Sequence, residues 1–528
     1  MTSSSFDIVS VGAGHNNLVA AAYLAKAGQS VLVLERNAHA GGGVVTQELS
    51  APGFLHDTHS TAHIMVLANP LFVNDELQLR SKFGLEYLHP DAPFGTSFDD
   101  GTALITYRSI DKTVESIAQF SKVDAEAYRR FAEMAVRTVP MFAASMFTPP
   151  LPVGGMVAMM DQSPGGREIL QMMLKSSWDI VNEWFSGDKL KIHFLKFVSN
   201  NLQGPEEKGT GIGLLVMVGM THTTGIGLPK GGSGKLTEAL VRCIQHHGGQ
   251  VLTGRHVKQL LRRSDRVVGV ETDQGERFTA RRAVIGAIHP HLLRDYFPDA
   301  DEAVLRRADQ VQVSPFSALN THYALHERIH FRSENERLRQ AYMIEMVPQD
   351  MERFRRCFDQ LRYQRMPQPI PTFGGGTQSL ADPSRAPAGK SVFYFTTLAP
   401  YNLEGRGGAY WDQVKDRFAD QMLRDVTPWI DNVTPDNVIA RCVHSPADIE
   451  RSSPSFQQGD FMGAAPYFFQ MNGHRPTPDL ARYTVPGIEG FYLVGPFMHP
   501  GGGVFGAGRG TAIRMFEDLG LDFERVHG

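Results

Sequence analysis

Cysteine, net charge and long apolar runs are all scarce in this sequence of 528 residues. The three cysteines, Cys243, Cys357 and Cys442, stand far apart, which excludes a disulfide framework and a CxxC metal knuckle and favours a reducing compartment. The formal net charge of -4 gives no basic stripe and excludes a nucleic-acid partner. The apolar run at residues 211–220 is about half as long as a bilayer-spanning helix and indicates buried core.

The N-terminus has no basic segment followed by an apolar one, so no export signal is expected and the protein is predicted to be cytoplasmic. Two segments rich in proline and glycine, residues 146–156 and 366–376, are predicted to form neither regular helix nor central strand. They are interpreted as lids, subunit contacts or membrane-surface loops. A homo-oligomer and a peripheral membrane contact are therefore among the expected partners.

A short apolar run at residues 6–12 ends in a glycine turn, and a helical pattern over residues 17–27 leads to a second apolar run at residues 30–34. This order predicts a β-α-β unit with two parallel strands. Glu35 follows the second strand at the spacing expected of a carboxylate that binds an adenine-linked ribose. The pattern therefore predicts a dinucleotide site.

The first glycine motif is G-A-G-H-N-N at residues 12–17. A pyrophosphate binds backbone N–H groups at a helix N-terminus, and glycine lets it come close because there is no Cβ. Asn17 replaces the third glycine of G-x-G-x-x-G, which weakens the expected close packing of helix and strand. The predicted cofactor contacts here are Gly12, Ala13, Gly14, His15 and Asn16.

The second motif is E-R-N-A-H-A-G-G-G at residues 35–43. A glycine triplet so close to the ribose carboxylate is not needed for a nicotinamide dinucleotide, but it suits the longer FAD. A flexible glycine linker is the competing interpretation. The predicted contacts are Glu35, Arg36, Gly41, Gly42 and Gly43, and the predicted cofactor is FAD.

Residues 251–287 show short β runs broken by turns, which predicts an antiparallel meander, and residues 490–503 predict a buried strand followed by a glycine cluster. With L-P-K-G-G-S-G-K-L-T-E-A-L in the middle and H-P-G-G-G-V-x-G-A near the end, the sequence resembles the phytoene-desaturase-like flavoproteins. The resemblance is closest to their phytoene-dehydrogenase-related branch, which includes proteins like pyridine nucleotide-disulfide oxidoreductase domain-containing protein 2.

The resemblance implies noncovalent FAD, an adenine contact by the backbone near Val257, and a C-terminal loop at the ribityl and pyrimidine end. The residues implied in that loop are Gly495, Pro496, Gly502, Gly503 and Val504. Asn17, and Gly43 in place of an arginine, depart from the family pattern. An analogy with carotenoid substrates is therefore not carried over.

The expected fold class is α/β, with a Rossmann-type FAD-binding domain of the glutathione-reductase and amine-oxidase kind and an interleaved α+β substrate domain. The FAD-binding domain is expected at residues 1–75, 225–290 and 485–528. The substrate domain is expected at residues 76–224 and 291–484. The segment K-G-G-S-G-K-L is not a P-loop, because Pro229 and Leu236 replace its first glycine and its hydroxyl residue.

Three histidines are candidates for a catalytic base. His59 and His63 follow the FAD loop, and they are interpreted as a polar wall of the flavin or substrate cavity rather than as metal ligands, since no carboxylate shares their spacing. His499 precedes Pro500 in the C-terminal loop, where it either relays protons or caps the loop. No metal site is predicted.

The segment from Phe456 to Met471 is crowded with aromatic and methionine residues and suggests an apolar pocket. The predicted function is oxidation of a bulky, largely apolar substrate by hydride transfer from a C–H bond to flavin N5, which leaves a double bond. Oxygen or a quinone is the expected electron acceptor. Amine oxidation, redox-neutral isomerisation or cyclisation, and non-catalytic binding of lipid-modified partners, as in Rab escort proteins, are the alternatives.

Overall fold

The computed structural model describes residues 4–332, 336–503 and 506–527. Its strands, in chain order, are β1 Ser4–Val11, β2 Val31–Leu34, β3 Thr46–Gln47, β4 His56–Asp57, β5 Tyr87–Leu88, β6 Phe94–Phe98, β7 Ala103–Thr106, β8 Leu228–Pro229, β9 Gln250–Leu252, β10 Val257–Arg263, β11 Arg266–Thr272, β12 Arg277–Gly286, β13 Ser317–Leu325, β14 Met343–Val347, β15 Phe373–Gly376, β16 Ser391–Ala399, β17 Val438–His444 and β18 Phe491–Leu493.

The α-helices are α1 His15–Lys26, α2 Pro70–Val73, α3 Ile110–Ala118, α4 Lys122–Met146, α5 Val153–Asp161, α6 Pro164–Leu174, α7 Ser177–Trp184, α8 Asp188–Ser199, α9 Ile212–Thr223, α10 Gly234–His246, α11 Leu293–Tyr296, α12 Glu302–Asp309, α13 Met351–Arg362, α14 Gln378–Ala381, α15 Trp411–Asp425, α16 Pro446–Ser452, α17 Gly506–Leu519 and α18 Glu524–His527.

The first sheet has the strand order β10-β11-β12-β1-β2-β9. Strands β12, β1, β2 and β9 are parallel, whereas β10, β11 and the first half of β12 form an antiparallel meander. The C-terminal strand β18 pairs in parallel with the second half of β12. Three distant parts of the chain thus build one sheet, and the predicted α/β class with a Rossmann-type unit is confirmed.

Helix α1 packs between this sheet and two other helices, α10 and α17. It is apolar almost all round, and its residues from Asn16 to Ala25 are buried. A helix with no polar face is expected only where it is covered on all sides. The N-terminus of α1 is therefore held rigidly at the edge formed by the carboxyl ends of β1 and β2.

The second sheet has the order β17-β13-β16-β15-β14-β6-β7 and is antiparallel except for the pair β14 and β6. Its strands come from residues 94–106 and 317–444, and it shares the largest apolar core with helices α3 to α9. One face of β13, β14 and β16 supplies residues to a cavity that also touches the first glycine loops. The second sheet is the floor of that cavity.

Two predictions about the segments rich in proline and glycine are wrong in part. Residues 373–376 form β15 in the middle of the second sheet, after the last proline of that segment. Glycine is needed there, because a Cβ on Gly375 would lie 2.5 Å from the carbonyl oxygen of Tyr394. Helix α5 begins at Val153, just after Pro152, since proline is tolerated at a helix start.

Among the described residues, no helix is both long and apolar enough to cross a membrane.

Candidate functional site

The turn between β1 and α1 presents backbone N–H groups to a cleft. Gly12 has φ +94°, a conformation that suits glycine, and Gly14 is the N-cap of α1. No side chain of the described residues caps this helix by a hydrogen bond, so its first N–H groups remain available to an anion. The geometry is that of a pyrophosphate site.

The Glu35 carboxylate lies at the end of β2 and is 7 % exposed. Its Oε2 accepts a hydrogen bond from the N–H of Ala13 at 2.8 Å, and its Oε1 accepts one from the N–H of Asn37 at 2.9 Å. The side chain therefore fixes the glycine turn and also lines the cleft. An ionised carboxylate can accept about four hydrogen bonds, which leaves capacity for the hydroxyls of a ribose.

Asn17 replaces the third glycine and links α1 to β1. Its amide nitrogen lies 3.1 Å from both the Ser10 hydroxyl and the carbonyl oxygen of Val11, and the residue is buried. The hydrogen bonds do the work that close glycine packing does in the G-x-G-x-x-G pattern. The sequence signalled the substitution but not this compensation.

The second glycine loop touches the first. The N–H of Gly41 donates to the carbonyl of Ala13 at 2.8 Å, and a Cβ on Gly42 would lie 3.1 Å from the Cα of Gly14. This contact brings Gly42 and Gly43 to the wall of the cleft. The other end of the cleft is lined by Val257 and by residues that the sequence did not single out, namely Arg255, Tyr296 and residues 452–455.

The C-terminal loop closes the cleft. Gly495 and Pro496 line it, whereas Gly503 lines the adjoining cavity. Gly502 packs behind the wall, where a Cβ would lie 2.5 Å from the Cα of Met462. Val504 lies outside the described residues.

The cleft has a volume of about 910 Å³. Of the predicted cofactor contacts, the following line it: Gly12, Gly14, His15, Asn16, Glu35, Arg36, Gly42, Gly43, Val257, Gly495 and Pro496. Ala13 and Gly41 support the wall from behind, through the hydrogen bonds described above. Residues from four separate parts of the chain thus surround one elongated space.

A second cavity of about 1350 Å³ adjoins the cleft and shares His15, Gly43 and Phe456 with it. Its apolar wall is made of aromatic, methionine and aliphatic side chains, which are Ile64, Phe94, Phe197, Leu202, Met217, Met343, Leu398, Phe461 and Met462. A cavity of this kind takes a bulky apolar molecule. Its position next to the C-terminal loop places such a molecule beside whatever occupies that end of the cleft.

The model of the family described as flavin containing amine oxidoreductase matches residues 18–512. The chain belongs to this family. A cleft with an uncapped helix N-terminus, a buried glutamate and a glycine-lined wall fits the FAD of this family, because it offers N–H donors to the pyrophosphate and a carboxylate to the ribose. This flavin-containing oxidoreductase is FAD-dependent.

Curated relatives match over nearly the whole chain. A limonene dehydrogenase polypeptide of Castellaniella defragrans is 26 % identical over 98 % of this chain and 95 % of its own. Pyridine nucleotide-disulfide oxidoreductase domain-containing protein 2 of Rattus norvegicus is 28 % identical over 97 % and 94 %. Phytoene desaturase (lycopene-forming) of Pantoea ananas is 23 % identical over 96 % and 99 %. The resemblance inferred from the motifs is confirmed.

Two solved structures share the fold. An oxidoreductase from Methanosarcina mazei has a TM-score of 0.59 and 15 % identity, covering 97 % of this chain and 99 % of that one. A variant of putrescine oxidase has a TM-score of 0.60 and 11 % identity, covering 98 % and 99 %. At these identities the likeness shows the fold alone.

His59 and His63 both line the second cavity of the oxidoreductase. Burial lowers the pKa of His59 to about 3 and that of His63 to about 4, so both imidazoles are neutral at pH 7. The Nδ1 of His63 lies 2.7 Å from the Tyr87 hydroxyl. Within the described part of the chain, no group of three or more potential ligands could hold a metal.

His499 is not brought together with the other two candidates. Its Nε2 lies 3.0 Å from the carbonyl oxygen of Ser145, and its side chain lines a separate cavity rich in methionine. Burial lowers the pKa of His499 to about 4. The structure therefore favours the interpretation of His499 as a residue that ties the C-terminal loop to α4.

Proposed function

We propose that this oxidoreductase dehydrogenates a bulky, largely apolar substrate and leaves a new carbon–carbon double bond in it. One observation carries the proposal, namely that the large apolar cavity opens onto the cofactor cleft and shares His15, Gly43 and Phe456 with it. When bound, FAD supplies a two-electron acceptor for a hydride. The residues of the chain would bind and orient the substrate, exclude water and take up a proton.

Aromatic side chains at the junction of cleft and cavity are suited to exclude water. Phe456 is buried, and its ring packs edge-on against His59 with the ring centres 5.4 Å apart. Phe461 stacks on the same imidazole at 6.5 Å. A dry site of this kind protects a hydride transfer from competing reactions with solvent.

His59 is the residue that we propose as proton acceptor. The Ser452 hydroxyl donates to the carbonyl of Ile449 at 2.6 Å, so its oxygen is left to accept from the Nε2–H of His59 at 3.3 Å. This assignment leaves Nδ1 without a proton, and within the described residues Nδ1 is buried with no hydrogen-bond partner. A base with a low pKa suffices, because loss of a hydride makes the neighbouring C–H strongly acidic.

The test begins with mass spectrometry of apolar molecules that co-purify with the FAD-loaded protein, since an apolar cavity can retain its ligand. The identified compound is then mixed with the enzyme in the absence of oxygen, and loss of the oxidised-flavin absorbance is followed. We expect flavin reduction and a product lighter by two hydrogen atoms. A product of unchanged mass would select the redox-neutral isomerase, and release of an amine or ammonia would select the amine oxidase.

A variant series tests the base. His59→Ala is expected to slow flavin reduction about 100-fold, within the range that general-base catalysis usually contributes, while substrate binding is retained. His39→Ala, an exposed histidine near the same loop, is the control and should leave the rate unchanged. Equal reduction rates in both variants would remove His59 from the mechanism, and His63→Ala and His499→Ala would then decide between the other two candidates.

Amine oxidation is the less favoured activity on the same fold. The carboxylate that lines the cavity, that of Glu345, already pairs with the ammonium group of Lys196 at 2.6 Å. A substrate ammonium ion would have to compete with this internal partner. The electron acceptor we propose is oxygen or a quinone, and the rate at which each reoxidises the reduced protein would distinguish them.

A further inference from the structure

The cavity next to the cofactor cleft contains a buried ion pair that a hydrocarbon substrate would not need. Nζ of Lys196, on α8, lies 2.6 Å from Oε2 of Glu345, on β14, and each side chain is 3 % exposed. Asn200 bridges the pair, because its Oδ1 accepts from Lys196 and its Nδ2 donates to Glu345, both at 2.6 Å. All three residues line the cavity.

A buried ion pair of this kind is poor evidence of stability. The cost of removing both charges from water commonly equals or exceeds their attraction, and apolar residues of similar size often stabilise a core as well or better. The sheet nevertheless makes room for the pair. Gly374 lies opposite Glu345 in the register, and a Cβ on it would lie 2.9 Å from Oε2 of that glutamate.

The three side chains retain hydrogen-bond donors beyond those they use among themselves. An ammonium group has three N–H donors, and acceptors among the described residues account for two of those of Lys196. The Asn200 amide has two N–H donors, and Glu345 accepts one. The charge of Lys196 is already balanced by Glu345. The site therefore offers donors without net charge.

We infer that Lys196 and Asn200 bind a neutral oxygen acceptor, such as a ketone, on an otherwise apolar substrate. The inference rests on the proposed function, because it assigns the substrate class of the same cavity. A carboxylate would be repelled by Glu345, and an ammonium ion by Lys196. Specificity for an uncharged carbonyl follows because a site built to donate hydrogen bonds rejects an analogue that lacks the acceptor.

The test compares pairs of compounds with one carbon skeleton, p-menthane against menthone and androstane against androstan-3-one. Binding to the FAD-loaded protein is measured by calorimetry and by the shift of the flavin absorbance bands. We expect at least one ketone to bind about 10-fold or more tightly than its hydrocarbon, since a charge-assisted hydrogen bond contributes at least that much.

Three variants connect this preference to the site. Lys196→Met/Glu345→Leu removes both charges together, so no unpaired charge is left buried, and it should abolish the preference. Asn200→Ala should reduce it several-fold. Lys189→Met is the control, because Lys189 lies on the same helix and pairs with Asp100 but lines neither the cleft nor this cavity.

Two results would overturn the inference. One is that neither ketone binds more tightly than its hydrocarbon, which includes the absence of binding by either ketone. The other is that the preference persists in the double variant. Its failure can be told from failure of the proposed function. A co-purified hydrocarbon that reduces the flavin would sink the inference alone, whereas ketone binding without any dehydrogenated product would sink the proposed function alone.

Discussion

The Glu35 carboxylate holds two backbone N–H groups and lines the cofactor cleft, so a small chemical change there has a defined effect. Glu35→Gln replaces an acceptor oxygen with an NH2 group that faces the N–H of either Ala13 or Asn37. We expect FAD to bind about 10–100-fold more weakly, because hydrogen bonds to a charged group contribute about 1.5–3 kcal/mol. The recovery of flavin fluorescence on dilution measures the dissociation constant.

The control for this prediction is Glu48→Gln, which changes an exposed glutamate close to the same glycine loop. It should retain FAD as the unchanged protein does. An FAD affinity that is equal in Glu35→Gln and Glu48→Gln would show that the ribose is bound elsewhere.

Asn17→Gly restores the third glycine of the dinucleotide motif and is expected to harm the protein. The variant loses the amide contacts to Ser10 and Val11. It should be destabilised by about 2 kcal/mol, since buried partners lose hydrogen bonds and glycine is a poor helix residue. The midpoint of thermal unfolding of the FAD-free protein measures this, and an unchanged or raised midpoint would contradict it.

At the residue scale, the sequence was informative where chemistry depends on spacing along the chain. The glycines before α1 and the carboxylate after β2 lie within one β-α-β unit, so their spacing alone predicted that they would face one cleft. Lys196 and Glu345 could not be predicted in this way, because they are 149 positions apart and belong to different elements. Arg255 and Tyr296 were missed for the same reason.

Helix α9 forms part of the wall of the second cavity, and two of its glycines have opposite surroundings. A Cβ on Gly219 would lie 2.6 Å from Cγ2 of Val139 and 2.7 Å from the carbonyl oxygen of Ala135, on α4. Near Gly213 nothing lies within 4 Å of the added atom. We expect Gly219→Ala to destabilise the protein by about 1–3 kcal/mol by overpacking.

Gly213→Ala is the matched control in the same helix. It should stabilise the protein by about 0.5–1 kcal/mol, because alanine is the better helix former and the space is open. Thermal unfolding of both variants tests the pair. If the two variants shifted the midpoint in the same direction, close packing of α9 on α4 would not be what requires glycine at 219.

At the scale of elements, local patterns predicted the Rossmann unit and failed at β15. The β-α-β pattern needs about 30 residues and carries its own signal. Strand β15, by contrast, reads F-G-G-G and has almost no side chains to signal a strand. Its neighbours β14 and β16 decide its conformation, since both lie close enough to exclude a Cβ. Tertiary contacts of this kind leave no local pattern.

For the whole molecule, burial of histidine predicts how stability depends on pH. Burial lowers the pKa of several imidazoles to about 3 or 4, among them those of His15, His59, His63, His193 and His289. Between their folded values and the unfolded value near 6.5, the unfolded chain binds more protons, so stability falls as the pH falls. From pH 7 to pH 5 each such histidine should cost about 2 kcal/mol.

The prediction is tested on His193, which lies outside the cleft and the substrate cavity. Its ring nitrogens lie 2.6 Å from the Thr96 hydroxyl and 2.7 Å from the Thr106 hydroxyl, and glutamine can offer polar atoms to the same partners without titrating. His193→Gln should therefore lose less stability between pH 7 and pH 5 than the unchanged protein, by about 2 kcal/mol. Exposed His39→Gln is the control. An identical pH dependence of the unfolding midpoint in both variants would mean that buried imidazoles do not limit the stability of this enzyme in acid.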